Sequence, residues 1–189
     1  RYDSTPTEWV WTDGSTRVTE RYSNSSSPDM TGRLIRRTDT SNNSVALTYD
    51  AGGRLALIQD AGSQQALQLT YGLFNGLTRL QRLETRALIE DAGGRPTATL
   101  GSPLQQVEYG YDSLGRLTTV STDVTPDDGD IADGAVFVTN YSYDQATARI
   151  AGVSQSDGTR VFFTYDAAGR LSSVRGHGDA TSAQVTFTY

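Results

Sequence analysis

The sequence contains no cysteine, only one histidine and no lysine. Without cysteine, disulfides do not hold the fold together, an absence that fits a secreted bacterial protein and a cytosolic one equally. The histidine, His177, lies between two glycines in a predicted turn, so histidine-based metal clusters and Ser-His-Asp triads lack their parts. The residues therefore predict a protein that is not an enzyme.

Charge and hydropathy exclude two further classes of partner. No apolar run approaches the roughly 20 residues that a helical membrane span requires. The 22 acidic residues outnumber the 16 arginines, which gives a formal net charge of −6. The only dense basic spot is Arg33, Arg36 and Arg37, so we do not expect a nucleic-acid partner. Because no apolar run is long enough, we do not expect a membrane span either.

What the chain does contain is a repeated motif, Tyr-Asp-x-x-Gly-Arg-Leu. Its complete copies begin at Tyr49, Tyr111 and Tyr165. Self-similarity at a period of about twenty residues predicts a repeat architecture. The repeat scaffold residues are Tyr49, Asp50, Gly53, Arg54, Tyr111, Asp112, Gly115, Arg116, Tyr165, Asp166, Gly169 and Arg170.

Partial copies fill the spaces between the complete ones. The core Asp-x-x-Gly-Arg also occurs at residues 29–33 and 91–95, where Pro28 and Glu90 replace the tyrosine. Degenerate copies are predicted at residues 71–80 and at Tyr143-Asp144, where the arginine falls one residue late. We therefore expect one repeat domain over residues 1–189, and because both ends fall inside repeats, we expect it to be a fragment of a longer array.

Each repeat is predicted to be a β-hairpin. Alternating apolar residues such as Val45, Leu47 and Tyr49 precede the motif, and period-two alternation indicates a half-buried strand. In the turn, aspartate is expected to accept hydrogen bonds from nearby amides and glycine to adopt a positive φ. The leucine-rich segment 77–89 also fits a helix in part, but its threonines and the repeat context favour a strand. The fold class is all-β, with repetitive antiparallel hairpins in a continuous curved or spiralling sheet.

These motifs resemble the YD repeats of the RHS (rearrangement hot spot) family, which includes bacterial polymorphic toxins, B and C components of insecticidal toxin complexes, and teneurins. The resemblance implies a hollow β-shell that in bacterial members encloses a toxic domain. It also implies a bacterial protein that is secreted or at the cell surface, with the remaining repeats and an enclosed toxin domain as partners. No Asp-Pro-x-Gly-Leu protease motif is present, so self-cleavage is not expected of this segment.

Two interpretations of the motif arginine stay open. The side chain either pairs with the aspartate four residues earlier or lies over the tyrosine ring of an adjacent repeat. A cation over an aromatic face contributes about 0.5–2 kcal/mol, and an exposed ion pair about 0–1 kcal/mol. Either role is mechanical, because a residue that recurs in every unit is a scaffold residue first.

An acidic insertion is predicted at residues 122–135. Its carboxylates make Asp128, Asp130 and Asp133 a weak candidate for Ca²⁺, which prefers oxygen ligands. The spacing does not fit an EF-hand, so a solvated acidic loop without a cofactor is the favoured interpretation.

Trp9 and Trp11 are two residues apart, so on a strand they share one face. They form a possible ligand platform for a sugar, although ordinary core packing is the commoner role of such a pair.

The sequence thus predicts a structural repeat segment whose function is the encapsulation of a toxin or effector cargo. Two alternatives are a secreted cell-surface adhesin and an extracellular polymer that self-associates through unpaired sheet edges.

Overall fold

The computed structural model describes residues 2–5, 7–176 and 185–189, and in this part of the chain it is almost entirely β-structure. The predicted turn around His177 lies outside the described residues. One 3₁₀-helix is present, Pro126–Asp128. The strands are β1 Tyr2–Ser4, β2 Glu8–Thr12, β3 Thr19–Ser23, β4 Leu34–Thr38, β5 Ser44–Tyr49, β6 Leu55–Asp60, β7 Gln65–Phe74, β8 Leu77–Glu90, β9 Pro96–Tyr111, β10 Leu117–Asp123, β11 Val136–Tyr143, β12 Ile150–Gln155, β13 Arg160–Tyr165, β14 Leu171–Arg175 and β15 Val185–Thr186.

The strands are neighbours in chain order, from β1 to β15. The expected all-β fold of antiparallel hairpins is therefore confirmed. Segment 77–89, in which sequence patterns were ambiguous, is part of strand β8, and the strand prediction is confirmed. The degenerate copy predicted at residues 71–80 is a hairpin closed by Asn75 and Gly76, both with positive φ. That backbone suits the two-residue turns that match the twist of paired strands.

The chain divides into two compact units, which are described separately. The first comprises Arg1–Thr70 and Leu83–Leu104. In it, cross-strand neighbours place the aromatic and aliphatic side chains on one face, which we call the tyrosine face. Its members are Trp9, Trp11, Tyr22, Val45, Leu47, Tyr49, Ile58 and Leu67, together with the charged residues Glu20, Arg37 and Asp60. The opposite face carries Glu8, Arg21, Arg36, Thr48 and Gln59, together with the apolar residues Val10, Ala46 and Leu57.

The second unit comprises Tyr71–Arg82 and Gln105–Tyr189. It has the same division between an apolar and a polar face. Its tyrosine face includes Val107, Tyr109, Tyr111, Val120, Phe137, Tyr141, Tyr143, Val153, Val161, Phe163, Tyr165 and Val174. The opposite face carries Ser121, Asn140, Ser142, Ser154, Arg160, Thr164, Ser173 and Arg175, with Val136, Val138 and Phe162 as apolar residues among them.

Little of either tyrosine face is fully buried. Among the described residues, Ala66 and Leu88 are the buried apolar side chains. Most domains bury their apolar face against a second layer of structure. Here that face stays half-exposed along most of its length, and the two units therefore present apolar surface instead of a closed core.

The same β-bulge recurs in the hairpins that carry a motif tyrosine. In the 49–55 hairpin, Thr48 pairs with Leu57 and Tyr49 with Leu55, so Ala56 is the extra residue. An extra residue on one strand bends that strand and re-aims the side chains beside the bulge. The corresponding extra residues elsewhere are Ile35, Thr118, Ala151 and Ser172.

The first partial copy differs from its sequence alignment. Pro28 and Asp29 were aligned with Tyr-Asp, and this is wrong, because Tyr22 pairs with Leu34 at the bulge. Ser23 occupies the aspartate position: its amide donates to the carbonyl of Arg33 at 2.8 Å, and the amide of Gly32 donates to the carbonyl of Ser23 at 2.8 Å. The hairpin contains an inserted loop between Ser23 and Gly32. This loop separates the residue at the aspartate position from the Gly-Arg pair, so the two parts of the motif are not contiguous in the sequence.

The partial copy at residues 91–95 forms the expected turn at an unexpected end of the strands. Glu90 accepts a hydrogen bond from the side chain of Gln64 at 2.8 Å, within the first unit. Gln64 belongs to the turn after β6, whereas the Asp50 turn precedes β6. The Asp91 turn therefore lies at the end of the strands opposite the tyrosine-bearing turns, which explains why Glu90 stands where the tyrosine would be.

Candidate functional site

The most developed local structure is the Asp-x-x-Gly-Arg turn. In the first complete copy, Asp50 Oδ1 accepts hydrogen bonds from the amides of Gly52 and Arg54, both at 2.9 Å. Asp50 Oδ2 accepts a hydrogen bond from Arg54 Nε at 2.7 Å. Gly53, at φ +71°, donates its amide to the Asp50 carbonyl at 2.9 Å. One aspartate thus closes the turn with its carboxylate and its backbone.

The other complete copies reproduce this turn. Arg116 Nε and Arg170 Nε donate to their aspartates at 2.7 and 2.8 Å. Gly115 and Gly169 have φ values of +74° and +79°. In the copy at 91–95, the amides of Gly93 and Arg95 donate hydrogen bonds to Asp91 Oδ1. The side chain of Arg95 is exposed and makes no ion pair in the described part of the chain.

The amide hydrogen bonds also hold these carboxyls in the charged form. Backbone donation from the amide of the motif arginine lowers the pKa of Asp50, Asp112 and Asp166 below the ordinary value of 3.8. Hydrogen bonds to a charged carboxylate favour that form, and the arginine side chain acts in the same direction.

Acid is therefore expected to destabilise the fold. A carboxyl with a lowered folded pKa contributes stability above its unfolded pKa, and this contribution is lost as the pH falls through the folded value. We expect the urea midpoint to drop between about pH 5 and pH 2, and to drop less in the triple Asp→Asn variant at positions 50, 112 and 166. An equal drop in both proteins would contradict the assignment. Some dependence should remain in the variant from further carboxyls with lowered pKa: Asp13, Asp39 and Asp60.

The arginine of one hairpin covers the tyrosine of the next. The guanidinium carbon of Arg116 lies 4.4 Å from the ring centroid of Tyr143, and that of Arg149 lies 5.2 Å from the ring of Tyr165. The two interpretations of the motif arginine are thus compatible, because Arg116 pairs with Asp112 and stacks at the same time. The same contact joins Arg33 to Tyr49 and Arg170 to Tyr189.

The tyrosine hydroxyl makes a second bond across the same joint. Tyr143 donates to the carbonyl of Leu117 at 2.6 Å, and Tyr165 to that of Ile150 at 2.8 Å. Each acceptor directly follows the arginine that covers the ring. Tyr49 bonds the carbonyl of Leu34 in the same way at 2.8 Å. We call this pair of contacts, arginine over ring and hydroxyl to carbonyl, the inter-repeat clasp.

The degenerate copy that the sequence predicted at Tyr143-Asp144 takes part in clasps although it has no glycine, and its late arginine, Arg149, contacts Asp144 at 3.3 Å. Gln145 takes the positive φ there, at 52°. The signal that finds such copies is a tyrosine ending an alternating strand, rather than the complete motif. What the sequence did not identify are the carbonyl acceptors of Leu34, Leu117 and Ile150.

The acidic insertion forms a loop at residues 124–135, between β10 and β11. The carboxylates of Asp128, Asp130 and Asp133 accept hydrogen bonds from amides of the loop itself, at 2.8, 2.9 and 2.7 Å. Within the described ranges, no three acidic or histidine side chains are grouped so as to hold a metal ion. The calcium site stays a prediction, and the carboxylates act here as turn acceptors.

Trp9 and Trp11 lie on β2 and share the tyrosine face, next to Tyr22 and Glu20 on β3. With Gly32 they line an open pocket of about 490 Å³. The structure therefore places the two indoles at a concave surface of the first unit, and neither ring is fully buried.

The fold and turns define a class of protein: an antiparallel β-meander of hairpin repeats, joined by clasps and bearing one apolar face. Residues 29–65 match the family model described as RHS Repeat. The resemblance is thereby confirmed, and residues 29–65 carry an RHS repeat. No curated protein matches the chain. Among the described residues, no helix has the length and apolar character needed to cross a membrane.

Part of one solved structure shares the fold, and two others are less similar. The crystal structure of TcdB2-TccC3-TEV matches 94% of this chain and 9% of its own, at 20% identity and a TM-score of 0.54. The crystal structure of TcdB2-TccC3-Cdc42 matches 89% of this chain and 10% of its own, at 12% identity and a TM-score of 0.47. The structure of the Photorhabdus luminescens Tc holotoxin pore matches 95% of this chain and 12% of its own, at 15% identity and a TM-score of 0.43. The chain thus spans about a tenth of the first of these.

Proposed function

We propose that this chain is a non-enzymatic segment of a longer RHS-repeat wall, and that its tyrosine face borders an enclosed toxin or effector cargo. The observation that carries the proposal is that most of the aromatic and large aliphatic side chains of each unit lie on one face, which is partly exposed. Large exposed apolar patches mark interaction sites in soluble proteins. The apolar side of such a wall is stabilised when it is shielded from bulk water.

An apolar face suits a cargo that is held without a specific fold. Hydrophobic contact is non-directional and scales with the area removed from water, so it tolerates many sequences. The face also offers tyrosine rings, whose hydroxyls are already engaged with backbone carbonyls at Tyr143 and Tyr165. Such a surface can contact an unfolded polypeptide without discriminating between sequences.

The motif residues support a structural role in this proposal. The carboxylate of Asp112 is occupied by two amides and by Arg116, whose guanidinium is in turn occupied by Asp112, Tyr143 and backbone carbonyls. Groups engaged in this way do not offer a nucleophile or a general base. The family resemblance supports a bacterial protein that is secreted or at the cell surface.

The experiment uses the absence of cysteine in this chain. Phe162 and Phe163 are adjacent on β13 and point to opposite faces, which makes Phe162→Cys and Phe163→Cys a matched pair. Each is introduced into the full-length protein together with the proposed cargo domain, after any cysteine outside this chain has been replaced. We expect a bulky maleimide to label the cysteine at 162 rapidly and the cysteine at 163 at least about tenfold more slowly, since the second faces an enclosed space.

A crosslinker attached at position 163 should also capture the cargo domain, and one attached at 162 should not. Equal labelling at both positions, with no capture, would reject the proposal. Capture of a second copy of the same segment would favour the self-associating polymer instead.

A further inference from the structure

The pocket at Trp9 and Trp11 is lined by three aromatic side chains, those of Trp9, Trp11 and Tyr22. Trp9 is directly opposite Tyr22, and Trp11 is opposite Glu20, so all four side chains rise from one face of β2 and β3. Gly32 completes the lining: a Cβ built there would lie 3.9 Å from the Trp9 ring. Gly32 has φ +73°, a conformation that favours glycine, and the indole lies close to backbone without a side chain.

The polar groups of the pocket are balanced in charge. The Tyr22 hydroxyl donates to Glu20 Oε2, and Arg37 Nε lies 3.7 Å from Glu20 Oε1. The Glu20 side chain keeps 22% of its surface exposed and lines the pocket. A carboxylate that already has a guanidinium neighbour attracts an added cation weakly, but it still accepts hydrogen bonds from hydroxyl groups.

We propose that this pocket binds a neutral pyranose sugar. The pocket lies on the tyrosine face, so the inference concerns binding by this chain itself, and it is tested separately from the encapsulation proposed above. The apolar C–H face of a pyranose ring matches a partly exposed indole, and its hydroxyls match the carboxylate and phenol of the rim. Ligand sites combine an aromatic lining with a few polar groups that fix orientation, and this pocket has that composition. Its open volume of about 490 Å³ accommodates one or two sugar rings.

The tryptophans make the test direct. The chain has two tryptophans in all, and both line the pocket, so its indole fluorescence reports on this site. We expect neutral oligosaccharides of glucose, galactose or N-acetylglucosamine to shift the emission in a saturable manner. The dissociation constant should lie at about 0.1–10 mM for at least one series, because the pocket is shallow and open.

Three variants separate the proposal from its alternatives. Trp11→Ala should weaken binding at least about tenfold, as read from the emission of Trp9, and Glu20→Gln should weaken it about three- to tenfold while keeping the shape of the rim. Leu73→Ala, at a highly exposed apolar residue outside the pocket, should leave binding unchanged. Circular dichroism spectra of the variants check that each one folds.

Titration with tetramethylammonium chloride tests the alternative that the pocket is a cation site. Saturable binding of tetramethylammonium without binding of any sugar would overturn the proposal in favour of a cation site, since three aromatic rings and a carboxylate can form a cation cage. The absence of a saturable change with all three sugar series, in wild-type protein that is folded, would also overturn it. Binding that survives both Trp11→Ala and Glu20→Gln would place the sugar elsewhere.

Discussion

Gly53→Val is expected to lower the free energy of unfolding by about 3 kcal/mol or more. Gly53 has φ +71°, a conformation that a β-branched residue adopts only with strain. A Cβ at this position would also lie 2.5 Å from the carbonyl oxygen of Asp29, which belongs to backbone and cannot move aside cheaply. Urea unfolding followed by far-ultraviolet circular dichroism measures the effect.

Two matched controls isolate the turn geometry. Gly14→Val makes the same substitution at a glycine without a positive φ and without atoms within 4 Å of the added Cβ, and Ala51→Ser changes the same turn mildly. Both should stay within about 0.5 kcal/mol of the wild-type protein. If Gly53→Val is no more destabilising than Gly14→Val, the assignment of the turn is wrong.

The same substitution at Gly115 should have a smaller effect. Its φ of +74° imposes similar strain, but a Cβ there would meet Leu77 Cδ1 at 3.3 Å, and a leucine methyl can shift. We expect a loss of about 2 kcal/mol for Gly115→Val. The ranking Gly53, then Gly115, then Gly14 separates the contribution of steric contact from that of backbone strain.

Arg116→Ala is the second substitution with a large expected effect, about 2–3 kcal/mol. The Arg116 side chain joins two hairpins: it pairs with Asp112 at 2.7 Å, donates to the carbonyls of Gln145 and Thr147, and covers the ring of Tyr143. Only 21% of the side chain is exposed, so these contacts are partly shielded from water. The measurement is again the free energy of unfolding in urea.

A double-mutant cycle assigns the part of this loss that belongs to the clasp. Tyr143→Leu removes the ring while keeping an apolar side chain, and the coupling with Arg116→Ala should be about 0.5–2 kcal/mol. Arg95→Ala is the control, because Arg95 holds the same motif position with an exposed side chain, and it should change stability by less than about 0.5 kcal/mol. A coupling indistinguishable from zero would show that the stacking contributes nothing.

The turns and the faces of the sheet could be predicted from sequence because both follow from local rules. Asp50, Gly53 and Arg54 lie within five residues, so one turn contains the carboxylate, the positive φ and the ion pair that the motif implies. Alternation along a strand likewise places Val45 and Leu47 on one face without knowledge of any neighbour. Such features need no information from distant parts of the chain.

The clasp partners and the turn of the first hairpin could be assigned only from the structure, because they depend on pairing between separate segments. The partner of the Tyr165 hydroxyl is the carbonyl of Ile150, and this choice is fixed by the register of β12 and β13 and by the bulge at Ser172. In the first hairpin, an inserted loop separates Ser23 from Gly32, and a search for contiguous Asp-x-x-Gly-Arg aligned Asp29 instead. Backbone pairing, which the motif does not encode, decided both cases.

An electron cryomicroscopy structure of the full-length protein with its cargo would show whether the tyrosine face borders an enclosed space. We expect Phe163 and Tyr165 to face an internal volume that contains density for the cargo, and Phe162 to face bulk solvent. A map in which the tyrosine face is covered by an ordered second sheet layer, or opens to solvent without an enclosed volume, would contradict this expectation.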